Sequence, residues 1–162
     1  MSDSAFSIRD AVQADCDAIL ALMPRLADYD TPPSRNPKHL WMHDAELLEE
    51  WRKGDAECLV HVAVDANDTV LGFSLVRLRP ELLSLEPSAH LEAIAIDKRA
   101  EGMGVGKALL VEAEASAKAH GALTMTLHVF AVNTRARALY KKAGYDGELM
   151  RYIKPLDGGS ES

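Results

Sequence analysis

Glycines at positions 102, 104 and 106 separate an apolar, strand-like run, Leu91 to Ile96, from a strongly helical one, Lys107 to Ala119. The first-turn N–H groups of a helix have no intrahelical partner and carry positive partial charge. Glycine removes the Cβ that keeps a phosphate away from the backbone. A strand, a glycine turn and a helix start in that order therefore predict a cradle for a phosphate or pyrophosphate. Two familiar phosphate motifs fail on spacing. A P-loop needs Gly-x4-Gly-Lys followed by Ser or Thr, whereas Gly106-Lys107 is followed by Ala108 and the position five before Gly106 is Glu101. A dinucleotide fingerprint needs Gly-x-Gly-x-x-Gly, whereas the sixth position from Gly102 is Lys107. A plain glycine-rich connection with no ligand is the competing reading.

The downstream residues argue against that plain reading. After a second apolar run, Leu123 to Val129, comes Asn133-Thr-Arg-Ala-Arg-Ala-Leu-Tyr-Lys-Lys-Ala-Gly-Tyr145. Asn133 and Tyr140 are two helical turns apart and share a face. Asn133 is a good N-cap residue, and Gly144 stands where a helix is closed by glycine. The strand Leu91-Glu-Ala-Ile-Ala-Ile96, the Gly-x-Gly-x-Gly-x-Ala-Leu-Leu turn and Asn-x-x-Ala-x-x-Leu-Tyr followed by Ala-Gly-Tyr together resemble the GNAT superfamily of acyl-CoA-dependent N-acyltransferases. The resemblance runs from Phe6 to Leu156. It implies an α/β (α+β mixed-sheet) GNAT fold in the order β-α-α-β-β-β-α-β-α-β, with splayed central parallel strands. It also implies acetyl-CoA as co-substrate, no metal, and direct attack of an amine within a ternary complex.

The resemblance assigns roles residue by residue. Main-chain groups of Ile94, Ala95 and Ile96 are left free by the splay and would pair with the pantetheine arm. A main-chain N–H there would also serve the oxyanion. Gly102, Met103, Gly104, Val105, Gly106 and Lys107 would hold the pyrophosphate. Tyr140 would protonate the departing thiolate, and Asn133 would bond the cofactor or an ordered water. Packing alone is the alternative for Tyr140, and helix capping alone for Asn133. Glu92 is the candidate general base, because the attacking amine must lose a proton. His90 shares its strand face and is the candidate to assist or replace it. A Glu at this place resembles diamine- and polyamine-type members. Asp28-Tyr29-Asp30 lies in a loop where the family often contacts substrate, and two carboxylates with an aromatic suit an ammonium. Glu101 departs from the family, whose turn usually begins with Arg or Gln. A carboxylate beside a pyrophosphate is repulsive unless it points away, and Arg99 or Lys107 would then supply the lost positive charge. A shifted phasing through Arg99, Gly102 and Gly104 is the alternative.

The elements that must position these residues are readable from periodicity. Strands are expected at Phe6 to Arg9, Glu57 to Val64, Val70 to Arg79, 91–97, 123–130 and Leu149 to Lys154. Helices are expected at Ala11 to Ala27, where Pro24 predicts a kink or an early end, and at Leu40 to Lys53, 105–119 and 134–143. Asp65-Ala-Asn-Asp68 predicts a hairpin turn. His39 and His43, followed by Glu46 and Glu50, have a spacing that zinc can use. But His43 falls on the apolar stripe of Leu40 and Leu47, which favours a packed histidine. Residues 1–156 are expected to form a single N-acetyltransferase domain, with 157–162 a disordered polar tail.

Composition bounds the function classes. The chain has 162 residues, 48% hydrophobic and 27% charged, and a net charge of −7. That size supports a core without staples. The acidic balance argues against nucleic acid as a partner and mildly favours a cationic ligand such as an amine. Cys16 and Cys58 form no Cys-x-x-Cys pair and suit a reducing compartment as free buried thiols. The absence of a charged-then-apolar leader or a long apolar run leads to the expectation of a cytoplasmic protein with no membrane partner. The expected reaction is transfer of an acetyl group to a primary amine of a small molecule. The alternatives are a protein N-terminal or lysine acetyltransferase, or a non-catalytic acyl-CoA-binding module. The resemblance leaves room for a homodimer.

Overall fold

The computed structural model describes residues 5–157. The expected tail falls almost wholly at 158–162, outside the described residues. The described residues build one five-stranded mixed sheet, with strands β1 (Ser7–Asp10), β2 (Cys58–Val64), β3 (Val70–Pro80), β4 (Pro87–Ile96) and β5 (Thr124–Leu127) in spatial order β1-β2-β3-β4-β5. The first four pair antiparallel, and β5 joins β4 in parallel. Helices α1 (Cys16–Leu22) and α2 (Met42–Arg52) cover one face, and α3 (Val105–Ala119) covers the other. Helix α4 (Thr134–Lys142) follows β5. No helix among the described residues is long and apolar enough to cross a membrane.

Side-chain periodicity explains the layers. Val60, Val62, Val64, Phe73 and Leu75 alternate towards α1 and α2, where they meet Ile19, Met23 and Leu48. The α3 stripe Val105, Leu109, Leu110, Ala113 and Ala117 is buried against the opposite face. Each fully buried leucine there contributes about 1.5–3 kcal/mol. The β2–β3 hairpin turns where predicted. Asp65 Oδ1 accepts hydrogen bonds from the N–H groups of Asn67 and Thr69, both at 2.9 Å, and Asp68 adopts φ 62°.

Several boundaries differ from expectation. The first helix ends at Leu22 and continues as a 3-10 segment, Met23–Ala27. Pro24 has no N–H for an α-helical bond, so the tighter turn takes over. Strand β4 starts four residues before the expected Leu91, at Pro87, and β5 is only four residues long. The largest correction is at the C-terminal end. Residues 149–154 do not form the expected final strand, so the observed order stops at β-α-α-β-β-β-α-β-α, and β5 is an edge strand rather than a central one. Leu149, Met150, Tyr152 and Ile153 are exposed. In an extended chain Leu149 and Ile153 share a side with Arg151, and Met150 and Tyr152 share theirs with Lys154. Neither side is wholly apolar, so register against β5 is weakly specified.

Candidate active site

The glycine turn leads into α3 through two left-handed residues. Gly102 and Gly104 both adopt φ 81°, a conformation that residues with a Cβ rarely take. A Cβ at either would meet nothing within 4 Å, so the backbone is open to an approaching group. The first α3 bond runs from Ala108 N–H to Gly104 O at 3.1 Å. The N–H groups of Val105, Gly106 and Lys107 precede it and have no helical acceptor. Gly106 faces inwards, where a Cβ would lie 3.7 Å from Leu139 Cδ2 and 3.8 Å from Ile96. The turn therefore abuts both the end of β4 and helix α4. Lys107 and Met103 are exposed on its rim, and Val105 is buried.

Strand β4 changes character halfway. Ser88, Ala89, His90 and Leu91 pair with Thr124, Met125, Thr126 and Leu127, and there the parallel pairing stops. Strand β4 continues to Ile96 while still paired with β3. The expected splay is present, and Ile94, Ala95 and Ile96 lie beside it. At its start is a bulge. Leu75 pairs with Ala93 and Val76 with Leu91, so Glu92 has no partner on β3. The bulge resets the alternation: Leu91 and Ile94 pack on the α3 side, whereas Ala93 and Ala95 pack on the α1–α2 side.

Glu92 lines a cleft of about 230 Å³ on the α2 side, together with His43, Asp44, Glu46, Leu47, Glu50 and Arg77. Burial, and secondarily the charge of Glu92, push the Asp44 carboxyl up to about 7. Four carboxyl groups against one arginine make the cleft a place for positive charge. His43 is not the packed histidine expected from its spacing. Its side chain is 89% exposed and lies 3.6 Å from Glu46. The helix begins only at Met42, so Leu40 lies in the preceding 3-10 segment and no stripe runs through His43. His39 is exposed as well, and no metal-holding cluster occurs among the described residues.

Tyr140 occupies the other side of the sheet. It packs with Tyr145 against the cluster of Leu91, Leu110, Ala113 and Ala117, with Ile94 and Leu127 alongside. Burial pushes its phenol up to about 12. Its hydroxyl makes no hydrogen bond among the described residues, whereas Tyr145 Oη donates to Glu114 Oε2 at 2.7 Å. The tyrosine rings meet edge-on with centroids 6.0 Å apart. Asn133 caps α4, its Oδ1 accepting from Ala136 N–H at 3.3 Å. Glu92 and Tyr140 thus belong to opposite layers of the sheet, on either side of the strand whose pairing with β5 stops at Leu91.

His90 shares the face of Glu92, as the strand period predicts, but it is built into the paired half. Its Nδ1 lies 2.8 Å from Thr126 Oγ1, and its ring meets His128 edge-on at 4.7 Å. Burial first, then Arg79 and His128, push it down to about 4, so it stays neutral.

The remaining candidates lie outside the cleft that Glu92 lines. Asp28 pairs with Arg25 beside a second cleft, of about 540 Å³, which Trp41 and Lys38 also line. Tyr29 is half-buried, with its phenol pushed up by burial, and Asp30 is exposed. Arg99 is not the compensating charge at the turn: its Nε lies 3.2 Å from Asp97 and its Nη2 donates to Val70 O. Arg25 and Arg135 approach Glu101 instead. Sequence spacing gave no sign of Arg25, 76 residues away in another element, or of Asp44. The local signal for Asp44 is the acidic run it forms with Glu46, Glu49 and Glu50 in the sequence of α2.

Residues 23–145 match the acetyltransferase (GNAT) family, so the chain belongs to that family. Aminoglycoside N(6′)-acetyltransferase type 1 of Stenotrophomonas maltophilia is 29% identical over 151 residues, 90% of each chain. Mycothiol acetyltransferase of Arthrobacter sp. (strain FB24) is 29% identical over 118 residues. That match covers 71% of this chain but only 35% of the relative, so the chain spans about a third of the mycothiol acetyltransferase it matches. Among solved structures, ribosomal-protein-alanine N-acetyltransferase from Brucella melitensis biovar Abortus 2308 superimposes with a TM-score of 0.68 at 18% identity. It covers 94% of this chain and 100% of its own. The fold is shared at that distance.

Proposed function

We propose that this GNAT-family chain moves an acetyl group from acetyl-CoA to a primary amine of a small molecule within a ternary complex, as a single cytoplasmic domain over residues 1–156. The observation that carries the reading is the opening beyond Leu91 and Leu127, with Glu92 on one face and Tyr140 on the other. The residues present fit the cofactor. The N–H groups of 105–107 have no helical acceptor at an open turn, where a diphosphate would lie, and residues 94–96 have no β5 partner, so that edge, apart from the Ile96 carbonyl held by Arg25 Nε, is open to the pantetheine arm. When bound, acetyl-CoA would supply the acetyl group as a thioester, with coenzyme A as the thiolate leaving group.

The chain's own residues handle the protons. The Glu92 carboxylate, directly or through a water, takes the proton of the attacking amine. The Tyr140 hydroxyl, protonated throughout the neutral range, gives its proton to the departing sulfur and regains one from solvent. The carboxyl groups of Asp44, Glu46 and Glu50 draw an ammonium into the cleft and keep water-borne anions out. More than one ammonium fits such a cleft, which is the diamine- and polyamine-type reading of Glu92. The names of the aminoglycoside and mycothiol relatives support a small-molecule acceptor. A thiol-release screen of amines with acetyl-CoA tests the reading. Turnover is expected with small di- and polycationic amines. Tight CoA binding without thiol release from any amine would leave only a binding module.

A further inference from the structure

The glycine turn carries a carboxylate where an anion is expected to land, and that carboxylate is already occupied. Glu101 Oε1 accepts from Arg25 Nη2, and Arg135 Nη1 lies 3.5 Å from the same oxygen. Arg25 comes from the 3-10 segment after α1, and Arg135 from the first turn of α4. Three elements distant in sequence therefore meet on one oxygen atom at the lip of the turn. Arg25 does more: its Nε donates to Ile96 O at 2.9 Å and its Nη1 donates to Asp28. One guanidinium thus links the open half of β4 to the rim of the turn. The two arginines against Glu101 and Asp28 sum to zero charge.

We propose that Glu101 is a displaceable internal anion, which holds Arg25 and Arg135 at the mouth of the turn until the diphosphate of acetyl-CoA takes them over. The inference rests on the cofactor reading above. Guanidinium forks match phosphate oxygens at least as well as a carboxylate, so the exchange keeps their hydrogen bonds. The three side chains differ in freedom. Arg25 is 23% exposed and tied to a main-chain carbonyl, Glu101 is 32% exposed, and Arg135 is 76% exposed. Arg25 is the fixed post, and Glu101 and Arg135 are free to re-pair. Holding the arginines in place beforehand spares part of the ordering cost when the cofactor arrives. Meanwhile the carboxylate occupies Nη2, the one Arg25 nitrogen that neither Asp28 nor Ile96 O engages. Glu101 therefore competes with the cofactor while keeping its ligands in position.

Calorimetric titration of CoA into the whole chain at low and high salt tests this, with inorganic pyrophosphate as a second probe. Glu101→Gln should bind CoA about tenfold more tightly at low salt, with the gain shrinking as salt screens the site. Arg135→Ala, at an exposed position, should weaken binding by a similar factor. The double variant should return close to the wild-type affinity, and pyrophosphate should follow the same order. Thermal melts without ligand check the fold of each variant. Unchanged or weaker CoA binding by a folded Glu101→Gln overturns the proposal and makes Glu101 a fixed strut. Should Glu101→Gln fail to fold, unchanged affinity in Arg135→Ala overturns it instead. If the wild type binds no CoA, the cofactor reading itself fails. If the wild type binds and Glu101→Gln does not tighten, only the displacement fails.

Discussion

The two halves of β4 lie in one strand and have opposite surroundings. Ser88 to Leu91 is hydrogen-bonded on both edges, and its polar side chains are tied across to β5. Ser88 Oγ donates to Thr124 O at 2.9 Å and lies 2.7 Å from Thr124 Oγ1, and His90 Nδ1 lies 2.8 Å from Thr126 Oγ1. Glu92 to Ile96 is bonded on one edge alone, and it carries a bulge, a carboxylate over a cleft and a carbonyl held by an arginine. The difference shows how a sheet keeps a gap open. Strand separation is fixed by the paired half and by α3 beneath it, so the open half is ordered before any ligand arrives. If that division is right, changes in the open half should alter chemistry with little loss of stability. Changes in the paired half should do the reverse.

The largest expected effect is at Tyr140, which packs on the α3 side of the sheet beside Ile94 and Leu127. Tyr140→Phe keeps the ring in its cluster and removes only the hydroxyl, which holds no hydrogen bond among the described residues. Stability should change little, whereas kcat should fall roughly 10²–10⁴-fold, the range for one acid or base. The KM for acetyl-CoA should hold. Stopped-flow rates with melts of both proteins check this. A normal kcat where chemistry limits the rate would leave Tyr140 as packing.

His90 tests the paired half. Its folded value, about 4, lies below the ordinary 6.5, so the unfolded chain binds the proton first as pH falls. The stability this histidine contributes is therefore lost progressively between about pH 6.5 and pH 4. His90→Gln should flatten that acid slope, by about 2–3 kcal/mol over the window, at the cost of the Thr126 contact at neutral pH. Denaturant midpoints at several pH values measure it. An unchanged slope would mean that another group carries the acid sensitivity of the paired half.

Gly106 returns to the open half at smaller scale. A Cβ there makes ordinary contacts at 3.7–3.8 Å, and the residue needs no left-handed backbone. Gly106→Ala should therefore fold normally. If the cofactor passes between Ile96 and α4, the added methyl should weaken CoA binding by about tenfold, the cost of a small steric displacement. Equal affinity in a calorimeter would move the cofactor path away from Gly106. The same change at Gly104 is a poorer test, because φ 81° strains any residue with a Cβ.

The sequence disclosed local features better than contacts that join distant segments. Helix 105–119 was legible to the residue, because its buried stripe and the glycines before it are both local signals. The splay was implied by family resemblance alone. No periodicity marks where parallel pairing stops, since Leu91 and Ile94 are apolar on both sides of the break. The bulge at Glu92 was hidden too, because a bulge depends on the register of β3. The expected final strand failed for another reason: the run 149–154 is largely apolar but does not alternate, and each side carries a charge. At the site, Tyr140, Glu92 and the glycines stood out by motif. The arginines on Glu101 did not, because they come from elements that only folding brings together.

Asp44 gives the smallest expected effect and the sharpest contrast with His90, since its pH dependence runs the other way. Its folded value, about 7, lies above the ordinary 3.8, because burial and then Glu92 disfavour its charge. The folded chain therefore holds the proton more tightly than the unfolded one. The stability tied to that proton is present at low pH, falls as pH rises from about 4 to about 7, and stays lost above. Asp44→Asn should remove this fall and be about 1–2 kcal/mol more stable than wild type near pH 8, after allowance for solvent screening, with no difference near pH 4. The same half-buried carboxyl should respond to an acceptor. An ammonium entering the cleft favours the ionised form, so amine binding near pH 6 should release a proton, and Asp44→Asn should abolish that release. Calorimetry of amine binding in buffers of different ionisation enthalpy measures the proton directly. If the variant gains no stability near pH 8, Asp44 is solvated despite its position. The open side would then differ from the paired side in geometry alone, not in the charge it is built to receive.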